Sequence, residues 1–172
     1  SFLIEKRDHF FTFLGSVLSD YYQQMSKADD VLLPEYVKNV AIDEFSQSLL
    51  ENYAKESYTG YTSVGPHRDD FLVTYNDKNI VDCGSRGEFR STMLAFKKAE
   101  AEYIFNQTEK KPILLLDDVF SELDEERRSL LIDFASSMQT IITTTDIDVV
   151  DDQLLADALI YEVSDGVCVL KK

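Results

Sequence analysis

KPILLLDDVFSELD, residues 111–124, runs four apolar side chains, Ile113, Leu114, Leu115 and Leu116, straight into a pair of carboxylates, Asp117 and Asp118. A short apolar run opened by Pro112 reads as a strand buried on both faces, as in a parallel sheet. Acids that follow it stand at the carboxyl edge of the strand, where open α/β sheets place their ligands. A carboxylate pair there is costly unless it meets a cation or hydrogen-bond donors. The cation that suits it is Mg2+ carried by a nucleotide, held by the aspartate of a Walker B strand. Asp117 then orders the ion through water, and Asp118 orients or deprotonates the attacking water. The plainer alternative is two surface acids past a buried strand. Apolar residues followed by Asp-Asp make a weak motif alone, and Ser121-Glu122-Leu123-Asp124, close behind and leading into a helix, strengthens it. Ser121 and Asp124 equally fit a helix N-terminus, since Ser-x-x-Asp is a capping pattern.

Downstream, the spacing predicts a helix over 124–137 with Leu130, Leu131 and Phe134 inside. A strand over 139–143 ends in Thr143-Thr144-Thr145. A hydroxyl there can sense a γ-phosphate, and by themselves these threonines are ordinary β-branched strand residues. Residues 158–163 and 167–170 read as short strands around the hairpin turn Asp165-Gly166. Upstream, a long helix is expected over 86–106, buried along Phe89, Met93, Phe96 and Tyr103. Gly84-Ser85-Arg86-Gly87-Glu88 starts it, and Ser85-x-x-Glu88 is a capping box. A glycine-bearing helix start also presents free N–H groups and a positive dipole end to a phosphate, with Ser85 and the Gly87 backbone as contacts. The two readings are compatible. The alternation of strand and helix after Cys83 indicates an α/β fold.

Nearer the start, residues 71–75 and 80–83 are expected as strands around the turn 76–79. Gly65-Pro66-His67-Arg68-Asp69-Asp70 reads as a polar turn or strand end, with His67 a base beside Asp69 or, more simply, an Arg–Asp pair holding the turn. Residues 1–25 form an amphipathic helix along Leu3, Phe10, Leu14, Val17, Tyr21 and Met25. Residues 26–39, with Pro34, read as a loop running into a short strand over 37–42. A second helix over 43–56 carries Phe45, Leu49, Leu50 and Tyr53. Both helices read as structural.

With 172 residues the chain is one domain or part of one, and it starts at Ser1 in mid-pattern, as a piece of a longer protein does. A net charge of −15 argues against coating DNA over the whole surface. The basic pairs Lys97-Lys98, Lys110-Lys111 and Arg127-Arg128 read as solvated faces or turns. Cys83 and Cys168 show no metal or redox spacing and read as reduced thiols in a cytoplasmic protein, with a disulfide as the lesser alternative. No apolar run reaches membrane-spanning length. No Gly-x-x-x-x-Gly-Lys-Ser/Thr loop occurs, so the chain lacks the element that wraps the β- and γ-phosphates.

Three strings, GYTSVGPHRDD (residues 60–70), GSRGEFR (84–90) and LLLDDVFSELD (114–124), followed by QTIITTT (139–145), resemble the C-terminal half of the RecF family of DNA replication and repair proteins. The resemblance covers essentially the whole chain, and the Gly-Pro-His-Arg-Asp-Asp string ahead of the helix is its most specific part. It implies part of an ABC-type ATPase head, related to the heads of SMC and Rad50 proteins. An N-terminal helical lobe (residues 1–56) is joined to the C-terminal part of the head (57–172). It implies ATP and Mg2+ as cofactors, Asp117 as the Walker B metal aspartate, and Asp118 in the place of the catalytic glutamate. Ser85, Arg86, Gly87 and Glu88 match the signature motif that contacts ATP held by the opposite subunit. Ser121 and Asp124 bound the D-loop, and Thr145, with Thr144 as the alternative, falls at the switch position. Arg86 and Glu88 depart from the glutamine-like residues usual there, and the family's Walker A loop and Q-loop are absent. The partners implied are an ATP-dependent homodimer, single-stranded and gapped DNA, and RecO and RecR, in placing RecA for repair and SOS induction. Slow ATP turnover is implied for the full-length protein and none for this part alone. Two other readings stay open. One is the head of another SMC-like ATPase, which needs heptad arms. The other is a non-enzymatic module whose acidic surface binds a basic partner, which needs an upstream reading frame without a Gly-Lys-Ser/Thr loop.

Overall fold

The computed structural model describes residues 2–26, 29–120, 123–150 and 152–171, and the chain divides into two units, Ser1–Tyr103 and Ile104–Lys172. The first unit opens with α1 (Phe2–Ser26), as its periodicity requires. Its buried stripe is Ile4, Leu14, Leu18, Tyr22 and Met25: Leu14 and Met25 are as expected, while Ile4, Leu18 and Tyr22 are buried in place of their neighbours Leu3, Val17 and Tyr21, and Leu3 is exposed. Apolar side chains surround so much of α1 that periodicity gives the helix but not its phase. The Ser19 hydroxyl donates to Leu32 O at 2.9 Å and accepts from Leu32 N at 3.0 Å, which ties α1 to the start of β1 (Leu32–Val37).

The strand runs through Pro34 and ends at Val37, instead of starting there. Proline lacks the N–H for a ladder on its outer side, and β1 is the edge of an antiparallel sheet ordered β1-β2-β3, where that omission costs little. The other strands are β2 (Asp70–Tyr75), as expected, and the two-residue β3 (Lys78–Asn79). Between β1 and β2 lies α2 (Phe45–Thr59), closed by Gly60 at φ 78°, and the expected helix thus extends three residues further. Leu50 and Tyr53 on it are exposed.

Residues 80–83 are a single helical turn, α3 (Ile80–Cys83), where a strand was expected. The Asn79 side chain accepts from Val81 N at 3.0 Å and so starts a helix where the β-branched residues alone suggest a strand. Gly84 closes it by donating to Ile80 O, and a Cβ on Gly84 would lie 2.6 Å from that oxygen, so only glycine fits. The long helix α4 (Arg86–Thr108) follows. It buries Ser91, Thr92, Leu94, Ala95, Ala99 and Ala101, not the expected aromatic stripe: Phe89 and Met93 are exposed, and Phe96 and Tyr103 half-buried. Phe10 of α1 packs edge-on against both Phe96 and Tyr103.

The second unit contains the apolar strand and its acid pair. Strand β4 (Leu114–Asp117), helix α5 (Glu125–Ser136) and strand β5 (Thr140–Thr143) form a βαβ unit with the two strands parallel. In β4 burial alternates. Leu114 and Leu116 are buried, while Leu115 is 69% exposed and Ile113 also lies outside, so burial on both faces is not what this chain provides. Helix α5 buries Leu131 and Ala135, with Leu130 and Phe134 half-buried. A short helix, α6 (Asp152–Asp157), leads to the hairpin β6 (Tyr161–Ser164) and β7 (Val167–Leu170). Its turn places Asp165 at φ 50° and Gly166 at φ 76°, the left-handed pair that a two-residue hairpin loop needs. Among the described residues no helix is long and apolar enough to cross a membrane. Cys83 and Cys168 are unpaired.

Candidate nucleotide site

Register decides what surrounds the acid pair. β4 and β5 run in parallel with Leu114 opposite Thr140 and Asp117 opposite Thr143, so both strands reach the carboxyl edge together. The Thr143 hydroxyl donates to Asp117 Oδ1 and accepts from the Asp118 N–H at 3.2 Å. The same Asp118 N–H lies 3.1 Å from Thr143 O. Asp118 has φ 48°, in the left-handed region that Asp and Asn tolerate better than other non-glycine residues. The chain therefore turns sharply at the second acid, and both carboxylates are exposed. Thr143, read from the sequence either as a γ-phosphate sensor or as an ordinary strand residue, instead supports the acid pair. The signal for it was available: a hydroxyl at the register position opposite the first acid of a parallel pair.

The Thr144 hydroxyl donates to Asp146 O at 2.8 Å, which turns it back on its own main chain. Thr145 is exposed. Ser121 lies outside the described residues. Asp124 is the N-cap of α5: its Oδ1 accepts from Arg127 N at 2.9 Å, and its other oxygen pairs with the Arg127 guanidinium. Asp124 thus stands at the helix N-terminus, as the N-cap itself and not as the third residue of a Ser-x-x-Asp box. Arg128 Nε donates to the carbonyl of fully buried Phe120 at 2.9 Å.

In the first unit, Ser85 and Glu88 form the capping box. Glu88 Oε2 accepts from Ser85 N at 2.6 Å, and Glu88 N donates to Ser85 Oγ at 3.3 Å. The Ser85 N–H, followed by the Ser85 hydroxyl, holds the Glu88 carboxyl below the usual range, against a smaller desolvation penalty. Arg86 is exposed and Gly87 half-buried at the same helix start. The region around His67 is a 3-10 turn, Pro66–Arg68. His67 Nε2 and Arg68 Nε both meet Thr62 O, at 2.9 and 3.3 Å. Asp69 is held by Arg7 instead of Arg68: Arg7 donates to Oδ2 at 3.0 Å, the Tyr36 hydroxyl reaches the same oxygen, and Asn39 N donates to Oδ1 at 2.9 Å. The Asp69 side chain is 1% exposed.

Among the described residues no three His, Cys, Asp or Glu side chains gather to hold a metal. The acid pair by itself suits an ion that keeps most of its ligands from water and phosphate, as Mg2+ does.

No family model matches the chain. The DNA replication and repair protein RecF of Halalkalibacterium halodurans is 38% identical over 173 residues, covering 94% of this chain and 47% of that protein. RecF of Geobacillus thermodenitrificans is 37% identical over 172 residues, covering 94% and 46%. Among solved structures, the recombination mediator protein RecF in the RecFOR pathway matches as RecF-ATPrS, with TM-score 0.75, 26% identity and coverage of 98% of this chain and 46% of that one. RecF-ATP matches with TM-score 0.73. With the parallel βαβ unit and its acid edge, this makes the chain an α/β protein, part of an ABC-type ATPase head. It belongs to the RecF family and corresponds to the C-terminal half of those proteins. The chain spans about half the length of the curated relatives it matches.

Proposed function

We propose that this chain is the C-terminal half of a RecF-type ATPase that binds ATP, dimerises around two shared nucleotides and binds DNA in that state. The observation that carries the reading is the carboxyl edge of β4, where Asp117 is aimed by Thr143 and Asp118 turns through a left-handed residue. The solved RecF structures it resembles carry ATP or ATPrS, which supports the same ligand here. Asp117 is the residue that holds Mg2+: it is exposed, and its one fixed oxygen leaves the carboxylate open to a hydrated ion. When bound, that ion neutralises phosphate charge. Asp118 orients the attacking water. Ser85, Arg86, Gly87 and Glu88 face the nucleotide of the opposite subunit, with Ser121 and Asp124 at the same junction. Thr145 is the switch residue, because the neighbouring hydroxyls of Thr143 and Thr144 are already engaged within the chain. The Walker A loop comes from polypeptide N-terminal to this half, so turnover belongs to the full-length protein, where it is slow. Residues 1–56 serve as a helical lobe and 57–172 as the head.

The DNA is single-stranded or gapped, and RecO and RecR are the partners in placing RecA for recombinational repair and the SOS response, in the cytoplasm. The RecFOR setting of the solved relatives supports this part of the reading. ATP acts by shifting the population of the dimer. The deciding experiment is sedimentation of the full-length protein with and without ATP. ATP-dependent dimers that Ser85→Arg abolishes support the reading, and dimers indifferent to both ATP and Ser85→Arg end it.

A further inference from the structure

The capping box at Ser85 is wired to a residue that neither the motif nor the resemblance picks out. Tyr75, the last residue of β2, places its hydroxyl 3.1 Å from Glu88 Oε1 and 2.7 Å from Asp30 Oδ2. Asn76 Nδ2 donates to the second Asp30 oxygen at 2.9 Å. The Tyr75 ring is fixed edge-on by fully buried Tyr22, with centroids 5.9 Å apart. Glu88 therefore bridges two elements: one carboxylate oxygen meets the phenol, and the other accepts from Ser85 N.

This bridge has a consequence for Ser85. The Ser85 oxygen accepts from Glu88 N through a lone pair, and its own proton lies toward the Glu88 carboxylate, so the hydroxyl and the carboxylate are set together at the helix start. The carboxylate of Glu88 also places a negative charge at the helix start, where a phosphate would sit. A Glu88 free to rotate would loosen the turn and sweep its charge across that position. The Tyr75 hydroxyl is the contact that fixes it from the far side, and Asp30 with Asn76 in turn fixes Tyr75.

We propose that Tyr75 is a positioning residue for Ser85: by holding Glu88 Oε1 it keeps Oε2 on the Ser85 N–H and so fixes the helix start at which Ser85 meets a phosphate oxygen of a nucleotide held by a second copy of the protein. The proposal rests on reading residues 85–88 as a nucleotide contact. Asp30 belongs to the same device, so the junction of α1 and β1 reports on the helix start through one phenol.

The test is ATP-dependent dimerisation of the full-length protein, followed by sedimentation velocity across an ATP titration. Tyr75→Phe removes only the hydroxyl and keeps the ring against Tyr22. It is expected to raise the ATP concentration for half-association roughly tenfold, the scale of one hydrogen bond to a charged group. Nucleotide affinity of the unassociated protein, measured by equilibrium dialysis, stays at the parent value. In a Glu88→Ala background Tyr75→Phe adds no further loss, because its effect passes through Glu88. Parent-like association of Tyr75→Phe overturns the proposal, and so does a loss that persists in full in the Glu88→Ala background, which marks a structural role alone. Ser85→Arg separates the two levels. If it blocks association while Tyr75→Phe is silent, only the positioning role falls. If Ser85→Arg is also silent, the nucleotide contact itself is wrong.

Discussion

The Thr143 hydroxyl bridges Asp117 and Asp118: it donates to the carboxylate of the first and accepts from the backbone N–H of the second. One side chain on β5 thus sets the rotamer of one acid and the turn at the next, and the two parallel strand ends act as one unit. The bridge exists because Asp117 and Thr143 are register partners, which follows from strand pairing and not from any property of the threonine alone.

Thr143→Val keeps the β-branched shape and deletes the bridge. The expected cost is about 1 kcal/mol in urea unfolding of the full-length protein, since the groups released are exposed and water replaces the lost partners. ATP turnover should fall by more than this, roughly tenfold, because Asp117 loses its fixed orientation. Unchanged turnover with the stability loss present would separate Thr143 from the acid edge's function.

Asp118 tests backbone and carboxylate separately. At φ 48° it tolerates Asn, and a β-branched residue there is strained. Asp118→Asn should fold like the parent, hydrolyse ATP far more slowly and accumulate as the ATP-bound dimer in sedimentation. Asp118→Val should lose about 1–3 kcal/mol of stability in chemical denaturation as well. If Asn and Val variants are equally stable, the left-handed turn is not retained in solution.

Ser85 gives a comparable separation at the helix start. Ser85→Ala removes the cap and should cost about 1 kcal/mol by denaturant unfolding, with association weakened. Ser85→Arg adds bulk and should abolish ATP-dependent association outright while nucleotide still binds each subunit. Size-exclusion chromatography with light scattering distinguishes a weakened dimer from an absent one. A dimer of undiminished affinity in the Arg variant contradicts the placement of Ser85 at the subunit junction.

How much of this was legible in the sequence depends on the range of the interactions. α1, α4, β4, α5, β5 and the final hairpin follow from local periodicity and turn chemistry, and the structure contains each of them. The phase of α1 did not follow, because its apolar residues outnumber one stripe. Large side chains also misdirect: α4 buries Ser91, Ala95 and Ala99 where the eye goes to Phe89 and Met93. The helical turn at residues 80–83 turned on one Asn79 side chain, too small a signal for propensity. At the candidate site the acids and the capping box were visible because their partners lie within a few residues. Thr143 and Tyr75 were not, since their meaning depends on which strand ends beside which. The partner of Asp69 was missed for the same reason: Arg7 is 62 residues away, while Arg68 is adjacent.

Asp69 also sets an acid limit. Burial opposes its charge, yet the Tyr36 hydroxyl, the Asn39 N–H and Arg7 outweigh that penalty and hold its carboxyl below the usual carboxylate range. A carboxyl depressed on folding contributes stability that is present above its unfolded value, near 3.9, and is lost as pH falls through the lower folded value. The full-length protein should therefore lose stability on acidification below about pH 4 with a component that Asp69 supplies. Asp69→Asn should remove that component and flatten the acid limb of a plot of unfolding free energy against pH. At neutral pH the same variant should lose roughly 2–3 kcal/mol, because it leaves Arg7 and Tyr36 without their charged acceptor. Urea melts at pH 7 and at successive acidic values measure both effects. An Asn variant that loses stability with acid as steeply as the parent would show that Asp69 is already protonated, or solvated, in the folded protein.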